Sequence, residues 1–210
     1  MDYIKKPMEI ENGSMAIIEA EMFNPGRFSD DELKVVKRVI HTTADFEYEK
    51  LITFSDGVID KLLANVNNAS KIYADTNMIA VAVNRVLLKK TNMEIVNYVH
   101  DEDVVIKAKE LSITRSMVAM EKAYNDTSIK VFLIGNAPTA LIRLMELMEA
   151  KPREDVVIVG VPVGFVGASE SKDALLKTNY PHISIVGRKG GSPVAAAIMN
   201  AVLKIQQEKV

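Results

Sequence analysis

Residues 129–135 read IKVFLIG. The run is short, rich in Ile, Val and Phe, and closed by a glycine. That length and composition suit a β-strand buried on both faces rather than a helix. Residues 155–160, DVVIVG, repeat the pattern, and residues 183–186, ISIV, close the series. Between and after these runs, residues 140–150, 169–177 and 192–207 carry helical spacing. Doubly buried strands alternating with helices predict an α/β fold with a mainly parallel sheet and helices on both faces.

Working toward the N-terminus, helices are predicted at 116–124 and 101–111, and strands at 94–99 and 71–74. Asp75 is placed to cap a helix running from Thr76 toward Val86, and 56–66 reads as another helix. Residues 29–45 read SDDELKVVKRVIHTTAD. Ser29 is a good N-cap there, and Asp30, Asp31 and Glu32 suit the positive end of the helix dipole. Leu33, Val36 and Ile40 give that helix an apolar stripe. Residues 1–28, punctuated by Pro7, Gly13, Pro25 and Gly26, read as an irregular arm lying over its own domain or a partner subunit. No repeat, low-complexity tract or linker divides the chain, so residues 1–210 are expected to form a single domain.

The totals narrow the classes of function. The chain has 210 residues, 48% hydrophobic and 26% charged, as in an ordinary soluble globular protein. A net charge of -2 argues against a nucleic-acid partner, so an anionic ligand has to be held by a local basic cluster. With no cysteine, disulfides, thiolate nucleophiles and cysteine metal sites are excluded. The first 14 residues hold no signal-like apolar region, and no apolar run nears the length of a membrane span. The expected address is cytoplasmic, with no membrane partner.

Two features carry chemistry. Arg38 and His41 are one turn apart on the same helix, with Lys34 and Lys37 beside them, so a cationic face ends in an imidazole. A histidine there is either a helix cap or a group that moves a proton near neutral pH. Glycine-bearing loops at 135–139, 160–167 and 187–192 fall after predicted strands, where open α/β sheets bind ligands. Ser14, following Gly13, is either a turn serine or a hydroxyl facing that ligand. The chain has no GxGxxG after a strand, no GxxxxGK[ST] and no GxSxG, and His41, His100 and His182 are not spaced as metal ligands.

Taken in order, the segments RVIH (38–41), TRS (114–116), GNAPTA (135–140), GVPVGFVGA (160–168), ESKDAL (170–175) and GGS (190–192) resemble those of the precorrin-8X methylmutases, also called cobalt-precorrin-8 methylmutases. The resemblance spans nearly the whole chain. It implies an isomerase of corrin biosynthesis that moves a methyl group from C-11 to C-12 of a tetrapyrrole. It places the catalytic histidine at His41, and substrate contacts at Ser14, Arg38 and Arg115; Asn136, in the first glycine-bearing loop, is expected to contact the substrate as well. It also implies a homodimer with its site near the subunit interface, and a substrate rimmed by carboxylates that arginines can bind. No cofactor of the protein's own is implied; cobalt, if present, belongs to the substrate. A corrinoid carrier would use the same rim, whereas a nicotinamide oxidoreductase shares only the α/β pattern.

Overall fold

A computed structural model describes residues 5–209. Helix α1 (Pro7–Glu21) leads through a 3-10 turn (Pro25–Arg27) to α2 (Asp30–Thr43), α3 (Tyr48–Leu51), strand β1 (Ile52–Phe54) and α4 (Val58–Asn67). Then come β2 (Lys71–Ala74), α5 (Asn77–Ala82), α6 (Arg85–Lys90), β3 (Ile95–Val96), α7 (Glu102–Glu110) and α8 (Arg115–Asn125). The chain ends with β4 (Ile129–Ile134), α9 (Pro138–Ala150), β5 (Val157–Gly160), α10 (Ala168–Leu175), β6 (His182–Ile185) and α11 (Ser192–Lys209). The six strands form one sheet in the order β1-β6-β5-β4-β2-β3. Neighbours run parallel except β1, which is antiparallel to β6 with Ile52 opposite Ile185.

Alternation along the strands builds a core on each face. Val131, Leu133, Val157, Val159, Ile183 and Ile185 point to a layer of α1, α2, α4 and α11. Tyr73, Phe132, Ile134 and Ile158 point to a layer of α7, α8, α9 and α10. The α/β fold with helices on both faces stands as expected. Each strand that reads as a continuous apolar run is buried on both sides, because helices cover both faces.

The first half corrects several expectations. The irregular arm expected at 1–28 is mostly helical where it is described, residues 1–4 lying outside the described residues: Pro7 sits in the first turn of a 15-residue helix, and Ile18 and Met22 are buried. Met8, Ile10 and Ile17 stay exposed on other sides, which blurs the apolar stripe that would have marked a helix. The helix expected from Thr76 toward Val86 is broken at Asn84, whose side chain caps α6 by accepting from Val86 and Leu87 N–H at 2.9 and 3.1 Å. Asn200 of α11 clamps the break, accepting from Asn84 N–H at 2.7 Å and donating to the Ala82 carbonyl at 3.0 Å. Thr76, not Asp75, caps α5. The strand at 94–99 shortens to β3, and β1 went unpredicted because three residues carry no readable period.

Candidate active site

Helix α2 closes its N-terminus with a capping box between Ser29 and Glu32. It buries Val35, Val36, Val39 and Ile40. Each such side chain contributes about 1.5–3 kcal/mol when removed from water. It lies antiparallel to α11: at its start Asp31 and Lys34 pair with Lys209 and Glu208 at 2.7 and 2.9 Å. At its other end the chain turns through Ala44, in the left-handed region at φ 52°. Asp45 and Glu47 then pair with Lys189, in the loop that follows β6. The Tyr48 hydroxyl donates to the Gly190 carbonyl of the same loop at 3.5 Å. The His41 end of α2 is thereby docked at the carboxyl edge of the sheet. His41 is exposed and lines a recess of about 250 Å³ with Ser14, Ile17, Glu21, Ala44 and Phe46.

The rest of the cationic face is not free. Arg38 and Lys204 share Glu11 of α1 at 2.5 and 2.9 Å. The hydrogen bond from Arg38, then that from Lys204, holds the Glu11 carboxyl down at about 2. Lys37 pairs with Glu19 at 2.6 Å. Ser14 does not sit in a turn: it lies within α1, and its hydroxyl donates to the Ile10 carbonyl at 2.8 Å. Arg38 also borders a depression of about 570 Å³ with Met8, Thr42, Asn84, Asn200 and Lys204.

The glycine loops form a connected rim at the strand ends. Asp75, buried at the end of β2, accepts from the N–H groups of Gly135, Asn136 and Ala137 at 3.0, 2.9 and 2.8 Å. Burial pushes its carboxyl up, and the three donors pull it back. Gly135 has to be glycine, because a Cβ there would lie 2.8 Å from the Ser192 backbone. Gly190, at φ 148°, likewise leaves no room for a Cβ against the Val161 carbonyl. The Thr76 and Ser192 hydroxyls meet at 2.9 Å. Lys172, fully buried on α10, donates to the Lys189 carbonyl at 2.6 Å, and burial lowers its ammonium to about 8.

Ser14 and His41 therefore share one recess, with Arg38 one turn away. Asn136 is exposed on the rim, its backbone held by Asp75. Arg115 is exposed at the start of α8, joined to the same rim by the Thr114 and Thr139 hydroxyls at 3.3 Å. It borders its own depression with Val105, Ala108, Lys109 and Ile113, in the layer opposite α2. Sequence reasoning missed Asp75 as organiser of the β4–α9 loop, Lys172 as anchor of the β6–α11 loop, and Glu11 as the partner of Arg38. Only the position of Asp75 directly after a strand signalled any of these. Among the described residues no three His, Cys, Asp or Glu side chains gather as metal ligands would, and no helix is long and apolar enough to cross a membrane.

Residues 9–205 match the precorrin-8X methylmutase family. Cobalt-precorrin-8 methylmutase of Salmonella typhimurium is 42% identical, over 97% of each chain. The protein of that name from Priestia megaterium is 38% identical over 94% of this chain and 87% of its own. The crystal structure of precorrin-8X methylmutase from Thermus thermophilus superposes with a TM-score of 0.89 at 35% identity, covering 96% of this chain and 97% of that one.

Proposed function

Because the chain belongs to the precorrin-8X methylmutase family, an isomerase family of cobalamin biosynthesis, we propose that it moves a methyl group from C-11 to C-12 of precorrin-8X or cobalt-precorrin-8. The product is then hydrogenobyrinate or cobyrinate. The observation that carries this reading is His41, an exposed imidazole at the docked end of α2, in a recess shared with Ser14.

In the proposed reaction His41 gives a proton, or a hydrogen bond, to a ring nitrogen or carbon of the macrocycle. That withdraws electron density from the conjugated system and eases a 1,5-sigmatropic shift. The methyl group leaves C-11 as its bond to C-12 forms, and the proton returns to His41, so nothing is gained or lost overall. Arg38 and Arg115 bind peripheral carboxylates, Arg38 by exchanging Glu11 for the substrate, while Ser14 and Asn136 contribute hydrogen bonds. The chain brings no cofactor of its own, and any cobalt arrives inside the macrocycle. Arg115 and His41 lie on opposite layers of one subunit, which favours a homodimer whose partner copy completes the site. The working partners are the tetrapyrrole polycarboxylate and a second copy of the chain, in the cytoplasm, without nucleic acid or membrane.

His41→Ala tests the role of the imidazole. Positioned proton transfer gives roughly 10²–10⁴ in rate, so turnover followed by the tetrapyrrole spectrum should fall by about that factor while ligand binding is kept. Near-normal turnover in the variant removes His41 from the mechanism. If the unsubstituted chain only shifts the chromophore of its ligand without converting it, the protein is a carrier.

A further inference from the structure

The loop between β5 and α10 holds its side chains out into solvent. Phe165 is 82% exposed and Val166 91%, between Gly164 and Gly167 at φ 153° and 76°. Two glycines in conformations that other residues rarely adopt fix this outward turn, so the exposure is built into the backbone. The loop is also tied down, since Gly164 N–H donates to the Arg188 carbonyl at 3.3 Å. The Arg188 guanidinium in turn lies 5.5 Å from the centroid of the Phe165 ring. Among the described residues Arg188 makes no ion pair, as is also true of Arg27, Arg85 and Arg115, whereas Arg38, Arg143 and Arg153 pair with carboxylates. Strand β5 is interior to the sheet, so the loop lies between the Asn136 loop and the Lys189 loop.

We propose that Phe165, with Val166, is a stacking platform for one face of the tetrapyrrole, and that Arg188 takes one of its peripheral carboxylates. This rests on the methylmutase reading and adds binding residues to it. A broad conjugated ring edged with carboxylates matches an outward aromatic face beside an unpaired guanidinium. The platform is continuous with the rim that carries Asn136, which argues for the substrate as its occupant over a second subunit or a lipid surface.

The test titrates hydrogenobyrinate into the purified full chain and reads the visible absorbance shift, with sedimentation run alongside. Phe165→Ala should raise Kd about tenfold without changing the assembly size, since an aromatic pair contributes on that order. Arg188→Gln should weaken binding and flatten its dependence on salt. Phe165→Trp should bind within about threefold of the unsubstituted chain, stacking being preserved. As the chain has no other tryptophan, that variant's emission should fall as ligand is added. Unchanged Kd in Phe165→Ala, or unquenched emission in Phe165→Trp, overturns the platform alone. A smaller assembly in Phe165→Ala with Kd retained overturns it in favour of a subunit contact. If the unsubstituted chain neither binds nor converts a tetrapyrrole, the methylmutase reading falls first and the platform with it.

Discussion

The cationic face of α2 and the glycine rim of the sheet both offer basic groups to an anionic ligand, but they hold them differently. On α2, Lys34, Lys37 and Arg38 are each paired with an acid of the same chain. On the rim, Arg115 and Arg188 make no ion pair among the described residues, and the loops are shaped from beneath by the buried groups Asp75 and Lys172. Partly exposed ion pairs contribute little and exchange readily, whereas a buried charge stripped of its partners is expensive. The α2 face is thus held by pairs that can exchange, while the rim is fixed in advance.

The comparison breaks most severely at Asp75. Asp75→Ala leaves the N–H groups of Gly135, Asn136 and Ala137 without an acceptor. The loss should be about 3–5 kcal/mol in denaturant unfolding. Asp75→Asn keeps one acceptor oxygen and should lose about 1–3 kcal/mol. Wild-type midpoints for both variants would mean that the rim is not organised from beneath.

Lys172 is the next largest. Its ammonium is lowered from 10.5 to about 8 by burial. Below that value both folded and unfolded chains carry the proton, so the penalty of burying the charge is fully present. Between pH ~8 and ~10.5 the unfolded chain still binds the proton while the folded one has released it, so stability rises with pH. Relative to Lys172→Met, the unsubstituted chain should gain roughly 2–4 kcal/mol across that window in urea unfolding. A constant difference would mean that burial does not disfavour the ammonium in the folded chain.

The rim was largely legible in the sequence and the α2 face only half so, for a physical reason. Residues 129–134 and 157–160 are nearly uninterrupted apolar runs, each followed by or ending in a glycine, and a doubly covered parallel strand buries such a run on both faces. The loops that follow then fall at the ligand edge by topology alone. The helical spacing of α2, its Ser29 cap and the placing of Arg38 beside His41 were readable too. What was not readable is the partner. Glu11 lies 27 residues before Arg38, on a helix whose apolar residues face several ways, and no local pattern marks that pairing. Asp75 was read as a cap for the following helix, because its true acceptor role spans about 60 residues to the β4–α9 loop.

Glu11 gives the smallest effect and the sharpest discrimination. Its carboxyl is held at about 2, chiefly by the hydrogen bond from Arg38, against an ordinary 4.5. The pairing therefore adds stability that is present above pH 4.5 and lost as pH falls toward about 2. Since both partners are partly exposed, that contribution should be only about 0.5–1 kcal/mol. Glu11→Gln should lose that amount at neutral pH and show a flatter acid limb in unfolding. The same substitution releases Arg38, so hydrogenobyrinate should bind a few-fold tighter and with a steeper salt dependence, Arg38 now meeting the ligand without a competitor. Weaker binding would reverse the assignment: Glu11 would then be the group that orients Arg38 toward the substrate, and the α2 face would be as fixed in advance as the rim.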